Sequence, residues 1–257
     1  MLQFIDKYIR PIWHRLGFDI RKYRDDTLVF PPDFDDETIA IWKKIHPYTL
    51  TGKERVYTLV QAVKHLVEFQ VEGAMVECGI WKGGSSMAIA LTLQNLGISD
   101  RDLYMYDTYT GMAQPTEIDV SYKGGRAVER FDRNKISDDV SAWCFSPLEE
   151  VTANLHSTGY NKERLHFIQG KVEETIPETI PEKIALLRLD TDFYESTKHE
   201  MEHLYPLIEP NGIIIIDDYG HWQGSRIAVD EYIAENNIQI FLNRVDYTAR
   251  LGIKPAA

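Results

Sequence analysis

Two short apolar runs, each followed at once by aspartates, stand out in the hydrophobic pattern of the chain. Residues 184–189 and 213–216 are dominated by Ile, Leu and other apolar residues, which is typical of strands covered on both faces of a sheet. Between these runs, apolar side chains recur at helical spacing over 195–209, and Pro210-Asn211-Gly212 provides a stop and a turn. The stretch therefore predicts a strand, a helix and a second strand, which together form a βαβ unit.

Aspartates follow both predicted strands at the point where each one ends. Asp190 and Asp192 come after the first strand, and Asp217 and Asp218 come directly after the second. Parallel strands end at a common edge, which is where open α/β sheets bind their ligands. Four carboxylates at that edge would repel one another unless a cation or a proton intervened, so the pattern favours a divalent metal. The alternative for each aspartate is an ordinary role as a helix cap or a turn residue.

A second informative stretch, residues 73–93, combines a strand, a glycine-bearing turn and a helix. The pattern predicts a strand over 74–76, a turn over 77–84 and a helix over 85–93. Glycines in such a turn let backbone amides approach a ligand at the helix N-terminus. A dinucleotide site would have the G-x-G-x-x-G spacing with no acid in the turn. Glu77 would repel a pyrophosphate, whereas it suits the cationic amino-acid part of S-adenosylmethionine.

Two further strand ends carry candidate cofactor contacts. The strand predicted over 103–106 ends in Asp107, an acid placed to accept hydrogen bonds from two ribose hydroxyls. The strand predicted over 165–168 is followed by residues 169–175, which either flank an adenine, with Val172 as the contact, or form a plain turn into a helix.

The whole pattern predicts an α/β fold. Strands are expected near residues 74, 103, 165, 184, 213, 238 and 247, and the last two span 238–245 and 247–253. This gives a doubly wound, seven-stranded and mostly parallel sheet. Helices over 36–46 and 53–70 precede the first strand, so residues 1–70 are expected to be an arm and a helical cap, and residues 71–257 a catalytic domain. Residues 48–52 form either a lid or an ordinary connection, and polar residues 113–140 look like an insertion near the mouth of the site.

Composition narrows the classes of partner. The net charge of −12, from 28 basic and 40 acidic residues, argues against nucleic acid and anionic membranes. Cys78 and Cys144 form neither a metal-binding spacing nor a disulfide framework, which favours a reducing cytoplasm. Apolar stretches fall short of the ~20 residues of a membrane span, and charges interrupt the N-terminal segment, so neither a membrane anchor nor a signal peptide is expected. A small molecule is the expected ligand.

Four motifs of the chain, taken together, resemble those of a known protein family. They are VECGIWKGGSS, YMYDTYTGM, LRLDTDFYESTKHEMEHLYP and GIIIIDDYGHWQGSRIAVDEY. Together they resemble the motifs of the macrocin O-methyltransferase family, which methylates sugar hydroxyls in macrolide and aminocoumarin antibiotic biosynthesis. The match runs over residues 48–254, and LDTDxYxSTK and IIxDDY are not generic methyltransferase features. The resemblance implies a class I methyltransferase fold, S-adenosylmethionine as the methyl donor, Mg²⁺ dependence and a homo-oligomer, for which the aromatic arm with Phe4, Tyr8 and Trp13 is a candidate contact.

The resemblance also assigns roles to individual residues. It places Glu77, Gly79, Gly83 and Ser85 on the first cofactor motif and Asp107 on the ribose-binding acid. It places Asp190, Asp217 and Asp218 on the metal ligands and Asp192 on the general base. Ser86 departs from the bulkier apolar residue expected at its position. The resemblance is weakest over residues 1–45 and 113–140, where the acceptor would bind, so the identity of the sugar and of the methylated hydroxyl stays open.

These assignments imply a mechanism in which a metal orients the acceptor hydroxyls and makes a proton easier to remove, and Asp192 takes that proton. If Asp192 only caps the following helix, His221 is the next candidate base. Three rival functions remain at this point. They are an O-methyltransferase of catechols or other vicinal diols, which an aromatic-lined acceptor pocket would favour, an NAD(P)-dependent oxidoreductase acting on a sugar nucleotide, and a non-catalytic sugar-binding or scaffold protein.

Overall fold

The computed structural model describes residues 12, 15–17, 28–137 and 140–256. It divides the chain into two compact units, Met1–Phe34 and Asp35–Ala257. In the described part of the first unit, the rings of Phe30 and Phe34 lie 5.8 Å apart. The proposed oligomer contacts Phe4, Tyr8 and Trp13 lie outside the described residues. The helices and strands below all belong to the second unit.

A single mixed sheet forms the centre of the second unit. Its strands are β1 (Ala74–Cys78), β2 (Leu103–Asp107), β3 (Leu165–Gln169), β4 (Ile184–Leu189), β5 (Ile208–Ile216), β6 (Asn243–Arg244) and β7 (Arg250–Ile253). Within the described residues these seven strands lie in the order β3-β2-β1-β4-β5-β7-β6. The first five run parallel, and β7 pairs antiparallel with both β5 and β6. The predicted doubly wound, mostly parallel sheet is therefore confirmed.

Helices cover the sheet in two groups. They are α1 (Asp36–Ile45), α2 (Lys53–Glu68), α3 (Gly84–Asn95), α4 (Ala127–Asn134), α5 (Leu148–His156), α6 (Val172–Thr175), α7 (Tyr194–Leu204) and α8 (Gln223–Glu235). Short 3-10 turns occupy His46–Tyr48, Lys162–Arg164 and Tyr205–Leu207. α1 and α2 pack against α3, and α7 packs against α6 and α8. The N-terminal helical region is thus present as predicted, and no described helix is long and apolar enough to cross a membrane.

The alternation of side chains along the strands creates two different faces. Val76, Cys78 and Leu187 belong to the apolar core on the side of α7 and α8. Because neighbouring side chains in a strand point to opposite faces, Glu77 and Arg188 lie on the other face, under α2 and α3. Both are almost completely buried, at 2% and 1% exposure. A charged pair therefore occupies the core beneath the cap helices.

The structure corrects three element boundaries. Glu77 and Cys78 belong to β1 rather than to the following turn. β5 begins at Ile208, so the predicted turn at Pro210-Asn211-Gly212 is an irregularity within the strand, where the register with β4 shifts. The strand predicted over 238–245 is reduced to β6, because its apolar residues Ile238, Ile240 and Leu242 pack on the core without pairing to another strand over that stretch.

The last predicted strand is also shorter than expected. The pattern predicted a strand over 247–253, whereas β7 starts at Arg250. The Asp246 carboxylate accepts hydrogen bonds from the amides of Thr248 and Ala249, at 2.9 and 2.8 Å. These bonds turn the chain before β7 and leave Tyr247 at the edge where the parallel strands end.

Candidate active site

A cavity of about 250 Å³ opens at the carboxyl ends of β1, β2, β4 and β5. Its walls contain eight of the ten residues predicted for the site: Glu77, Gly79, Ser85, Asp107, Asp190, Asp192, Asp217 and Asp218. Gly83 and Val172 are not among the lining residues. The 48–51 loop, predicted as a lid or a connection, forms another part of the wall. Residues from four strand ends are thus brought to one place.

Glu77 is held by two partners at the bottom of the cavity. The Arg188 guanidinium donates to Glu77 Oε1 at 2.5 Å, and the Ser86 hydroxyl donates to Oε2. Ser86 is itself buried. The unexpected serine at this position therefore has a definite contact: a bulkier apolar side chain could not make this hydrogen bond. Burial raises the pKa of Glu77, and Arg188 and Ser86 oppose that rise.

The glycines of the turn after β1 allow close packing between chain segments, in addition to any contact with a ligand. Gly79 has φ +86°, and a Cβ there would overlap the carbonyl of Asp190. Gly83 has φ +88° and precedes α3, and a Cβ there would lie 2.6 Å from Leu155. Ser85 is in the first turn of α3 and faces the cavity. The first turn thus touches the loop after β4 directly.

Asp107 organises the same turn from the neighbouring strand. Its Oδ2 accepts from the amides of Ile80 and Trp81 at 2.6 and 3.2 Å, and its Oδ1 accepts from the Tyr109 amide at 2.7 Å. Burial raises the pKa of Asp107, and these backbone hydrogen bonds act in the opposite direction. The carboxylate therefore has a structural role in addition to its exposure to the cavity.

Val172 lies at the start of α6, after β3. It is 5% exposed and belongs to the main apolar core, together with Ile176. The structure places it beside the sheet edge but not in the cavity wall. A second cavity, lined by Thr108, Met112, Gly170 and Lys171 among others, lies along this loop.

Three of the four aspartates form a compact cluster. One carboxylate oxygen each from Asp190, Asp192 and Asp218 lie within 4.8 Å of one another. Burial, opposed by Arg188, raises the pKa of Asp190 well above its usual value, and burial with the nearby Asp192 carboxylate does the same for the pKa of Asp218. Burial raises the pKa of Asp192 to about 7. Within the described residues, the buried Oδ2 of Asp218 has no hydrogen-bond partner.

Asp217 is surrounded differently, although it belongs to the same strand end. Its Oδ1 accepts from the buried Arg188 guanidinium at 2.6 Å, and its Oδ2 accepts from Arg55 on α2. Burial favours the neutral acid, but the two guanidinium groups hold the pKa of Asp217 below its usual value. Arg188 also donates to Asp190 at 2.7 Å. One arginine therefore joins Glu77 of β1 to Asp190 and Asp217 at the ends of β4 and β5.

The cap alternative for Asp192 finds no support in the contacts at the start of α7. The N-cap position is Phe193, and the amide of Tyr194 donates to Asp119 Oδ1 at 2.9 Å. Asp192 instead interacts with the side chains of Asp218 and Trp222. Its backbone has φ +72°, a left-handed conformation that Asp adopts more readily than most residues. The side chain thus points into the acid cluster rather than toward the helix.

Four aromatic side chains from residues 143–247 line another part of the cavity. They are Trp143, His221, Trp222 and Tyr247, with Arg130 stacked at 4.2 Å over the Trp143 ring. Burial lowers the pKa of His221, and the positive charges of Arg130, Arg55 and Lys123 lower it further. His221 is therefore neutral near pH 7. The cavity lining thus combines these aromatic side chains with the acids, and Trp222 interacts directly with Asp192.

Sequence patterns missed the residues that hold these acids in place. Arg55 and Asp217 are separated by 162 positions, and Asp119 and Tyr194 by 75, so local periodicity carries no information about either contact. Arg188 did leave a signal, because it is the one charged residue in the apolar run 184–189. Charged side chains are almost never fully buried without a partner, and that rule could have pointed to an ion pair in the core.

Comparison with known proteins gives a consistent result. The sequence profile of the macrocin-O-methyltransferase (TylF) family matches residues 20–251. The 8-demethyl-8-(2,3-dimethoxy-alpha-L-rhamnosyl)-tetracenomycin-C 4'-O-methyltransferase of Streptomyces olivaceus is 32% identical over 232 residues, which cover 88% of this chain and 85% of that protein. The demethyldecarbamoylnovobiocin O-methyltransferase of Streptomyces niveus is 31% identical over 199 residues, or 77% of this chain and 72% of the relative.

A solved structure supports the same relationship. The O-methyltransferase NovP superposes on this chain with a TM-score of 0.69 and 27% sequence identity, over 81% of this chain and 83% of NovP. The resemblance found in the four motifs thus extends over most of the sequence and over the fold.

Proposed function

The chain belongs to the macrocin O-methyltransferase family and is an S-adenosylmethionine-dependent O-methyltransferase, and from this premise we propose that it methylates a hydroxyl of a sugar. The acceptor is a natural-product glycoside or a nucleotide sugar. One relative is named for a rhamnosyl tetracenomycin and another for mycinamicin III. Membership of this family excludes two of the rival functions, an NAD(P)-dependent oxidoreductase and a non-catalytic sugar-binding or scaffold protein.

One observation carries the proposal: a single cavity holds the acid-bearing glycine turn and the aspartates of two neighbouring strand ends. We assign the methionine end of the cofactor to Glu77, Gly79, Gly83 and Ser85, where amides at the start of α3 suit its carboxylate. In this assignment Asp107 accepts hydrogen bonds from the ribose hydroxyls of S-adenosylmethionine, and Val172 flanks its adenine. Because Asp107 and Glu77 lie on adjacent strands, one extended ligand can reach both.

We also propose that Mg²⁺ binds where β4 and β5 end, with Asp190, Asp217 and Asp218 as ligands. Asp190 and Asp218 belong to the compact cluster, whereas Asp217 would bind the ion while paired with Arg188 and Arg55. The donor set consists of carboxylate oxygens, which suit a hard cation better than Zn²⁺. Two observations suit a cation as a further partner. The buried Oδ2 of Asp218 finds no hydrogen-bond partner among the described residues, and the pKa values of Asp190 and Asp218 are raised. When bound, the ion supplies Lewis acidity toward two neighbouring acceptor oxygens.

In this proposal Asp192 is the general base. Its carboxylate lies in the same cavity and next to Asp218, within the space that an acceptor hydroxyl would enter. Asp192 would take the hydroxyl proton as the acceptor oxygen forms its bond to the methyl carbon. S-adenosylmethionine, held by Glu77, Gly79, Gly83 and Ser85, would supply that methyl group as its carbon–sulfur bond breaks. The rest of the catalysis is positioning, which the cavity walls supply.

The aromatic side chains that line the cavity support a second candidate acceptor. Trp143, Trp222 and Tyr247 would pack against a flat ring, and the metal requires only two adjacent oxygens. An aromatic vicinal diol therefore fits the same chemistry as a sugar diol.

A panel of acceptors tests the proposal directly. Purified enzyme, Mg²⁺ and methyl-labelled S-adenosylmethionine are incubated separately with the rhamnosyl tetracenomycin, mycinamicin III, demethyldecarbamoylnovobiocin, a nucleoside-diphosphate rhamnose and catechol. Label transfer to a sugar hydroxyl is the expected result, and the nucleotide-linked acceptor separates the two sugar classes. Label transfer to catechol alone would contradict the proposed sugar acceptor and identify an aromatic diol as the acceptor.

Three further features of the protein are part of the proposal. Cys78 and Cys144 are both free thiols, which supports a reducing cytoplasm as the working compartment. We also propose that the protein is a homo-oligomer. Residues 1–70 would form its arm and helical cap, and residues 71–257 its methyltransferase domain. Size-exclusion chromatography with light scattering measures the oligomeric state.

A further inference from the structure

The insertion near the mouth of the cavity contains a buried carboxylate that contacts the start of α7. Asp119 is 1% exposed. Its Oδ1 accepts from the Tyr194 amide at 2.9 Å, and its Oδ2 accepts from the amide and the hydroxyl of Thr116 at 2.7 and 2.8 Å. One oxygen thus holds the insertion together while the other binds the helix that begins two residues after Asp192.

An aromatic cluster joins the same two parts of the chain. Phe193 follows Asp192 directly, and its ring lies 5.7 Å from both Trp143 and Trp222. Ala127 and Phe131 of α4 complete this cluster. Trp222 also interacts with the Asp192 side chain. Asp192 is therefore flanked by two aromatic residues that pack against the insertion.

The start of α8 is fitted to the same carboxylate. Gly224 lies two residues after Trp222, and a Cβ at Gly224 would overlap Asp119 Oδ1. The Gln223 amide donates to the Val120 carbonyl at 2.9 Å. Asp119 and its neighbour thus contact the starts of both helices that follow the acidic strand ends.

We propose that Asp119 is a positioning residue for methyl transfer, which holds the 190–193 loop and with it Asp192. The left-handed backbone of Asp192 is less favourable than an extended or helical one, so it needs fixed contacts on either side. Asp119 supplies the contact on the C-terminal side by capping α7. The acceptor-side insertion and the catalytic loop consequently move as one body. This inference rests on the proposed role of Asp192.

A matched pair of variants removes one hydrogen bond. Tyr194→Pro deletes the amide donor to Asp119, and Tyr194→Ala removes the same side chain but keeps the donor. Proline is well tolerated at the first position of a helix, and Phe193, with φ −107° and ψ 163°, already has the extended conformation that a residue before proline prefers. The Pro ring also occupies the place of the amide proton, so the Asp119 carboxylate must move away.

Two titrations and one rate measurement decide the outcome. For Tyr194→Pro we expect Mg²⁺ affinity to fall at least fivefold relative to Tyr194→Ala, and turnover of the best acceptor in the panel to fall at least tenfold. Affinity for S-adenosylmethionine should stay within twofold, because Glu77 and Asp107 lie on other strands. Equal Mg²⁺ affinity and turnover in the Pro and Ala variants would overturn the role of Asp119.

Asp35 provides the control for a purely structural cap. Its carboxylate caps α1 by accepting from the Thr38 amide at 2.6 Å, and it does not line the cavity. Asp119→Ala and Asp35→Ala should both lower the melting temperature, but only Asp119→Ala should lower turnover at saturating substrates. An equal loss of turnover in both would reduce Asp119 to a structural cap. A fully active Asp192→Asn enzyme, by contrast, would refute the role of Asp192 as the base. Asp119 would then be tested separately by the difference in Mg²⁺ affinity between Tyr194→Pro and Tyr194→Ala.

Discussion

At the scale of single residues, neighbouring acids in this cavity have different roles because their partners differ. Asp217 is paired with two arginines, whereas one buried oxygen of Asp218 has no hydrogen-bond partner in the described part of the chain. Asp192 interacts with Trp222 and Asp218 instead of capping α7. The types and spacing of these acids were readable from the sequence. Their partners were not, because each partner comes from a distant part of the chain.

The role of Asp192 can be tested by removing its basicity alone. Asp192→Asn keeps the size of the side chain, so binding of S-adenosylmethionine and Mg²⁺ should be retained while turnover falls roughly 10²-fold or more, the usual scale for a general base. Calorimetry and steady-state rates measure the two effects. Near-normal turnover would point to His221, whose neutral imidazole lines the same cavity.

Asp107 offers a test of the cofactor assignment. Asp107→Ala should weaken S-adenosylmethionine binding by about 1–3 kcal/mol, the scale for losing hydrogen bonds to a charged acceptor. Asp107→Asn is the matched variant, because one amide oxygen can still accept from the Ile80 and Trp81 amides. If both variants bound the cofactor as tightly as the parent, Asp107 would be a turn-stabilising residue only.

Protons and Mg²⁺ should compete for the acid cluster. Burial raises the pKa values of Asp190 and Asp218, and raises that of Asp192 to about 7. Acids with raised pKa values bind their protons more tightly than a free carboxyl does, so Mg²⁺ must displace those protons. Mg²⁺ affinity should therefore rise from ~pH 6 to ~pH 8, by about tenfold per pH unit for each displaced proton. Titration in buffers of different ionisation enthalpy counts the released protons, and a pH-independent affinity would contradict the assignment.

At the scale of elements, the glycine turn after β1 and the acidic loop after β4 depend on each other. The Asp190 amide donates to the Cys78 carbonyl at 2.8 Å, and Gly79 leaves room for the Asp190 carbonyl. The turn and the following helix were predictable from glycine spacing and apolar periodicity. That the glycine serves a second loop was not, because strand order is a property of the folded sheet and not of the local sequence.

This dependence predicts a specific effect of a methyl group. Gly79→Ala should lower the melting temperature and weaken the binding of both S-adenosylmethionine and Mg²⁺, because the Cβ displaces the Asp190 backbone. Gly97→Ala is the control: its φ of +76° is also left-handed, but a Cβ there meets nothing within 4 Å. The control should cost only about 1 kcal/mol of backbone strain and leave both ligands bound normally. Equal losses of stability and ligand binding in the two variants would show that backbone strain, and not the contact of the Cβ with Asp190, causes the effect.

At the scale of the whole molecule, the buried arginine joins the two halves of the proposed site. Arg188 contacts Glu77, Asp190 and Asp217 and also donates to Thr51 in the 48–52 loop at 3.1 Å. The sheet and its seven strands followed from the apolar runs. The largest error lay in the strand predicted over 238–245, where Ile240 and Leu242 are apolar enough to resemble a strand but pair with no strand of the described part of the chain. The charged core beneath the cap depended on long-range pairing that periodicity does not encode.

Removal of the metal is the test that concerns the enzyme as a whole. Activity should vanish in excess EDTA and return when Mg²⁺ is added beyond the chelator, while the cofactor still binds through residues of β1 and β2. Full turnover in EDTA would remove the metal role of Asp190, Asp217 and Asp218 together. A Zn²⁺ rescue that exceeds the Mg²⁺ rescue would contradict the assignment of a hard cation to an all-carboxylate site.

The contact of Arg55 with Asp217 and Asp246 also limits how chimeric enzymes can be built. Exchanging N-terminal segments between relatives is an obvious route to new acceptors, and residue 70 is a tempting crossover because a strand follows shortly after it. A crossover there would replace Arg55 and Thr51 while retaining the carboxylates and the arginine that they contact. A crossover ahead of Thr51 keeps these contacts within one parent, so hybrids joined there should fold and bind Mg²⁺ when those joined at residue 70 do not.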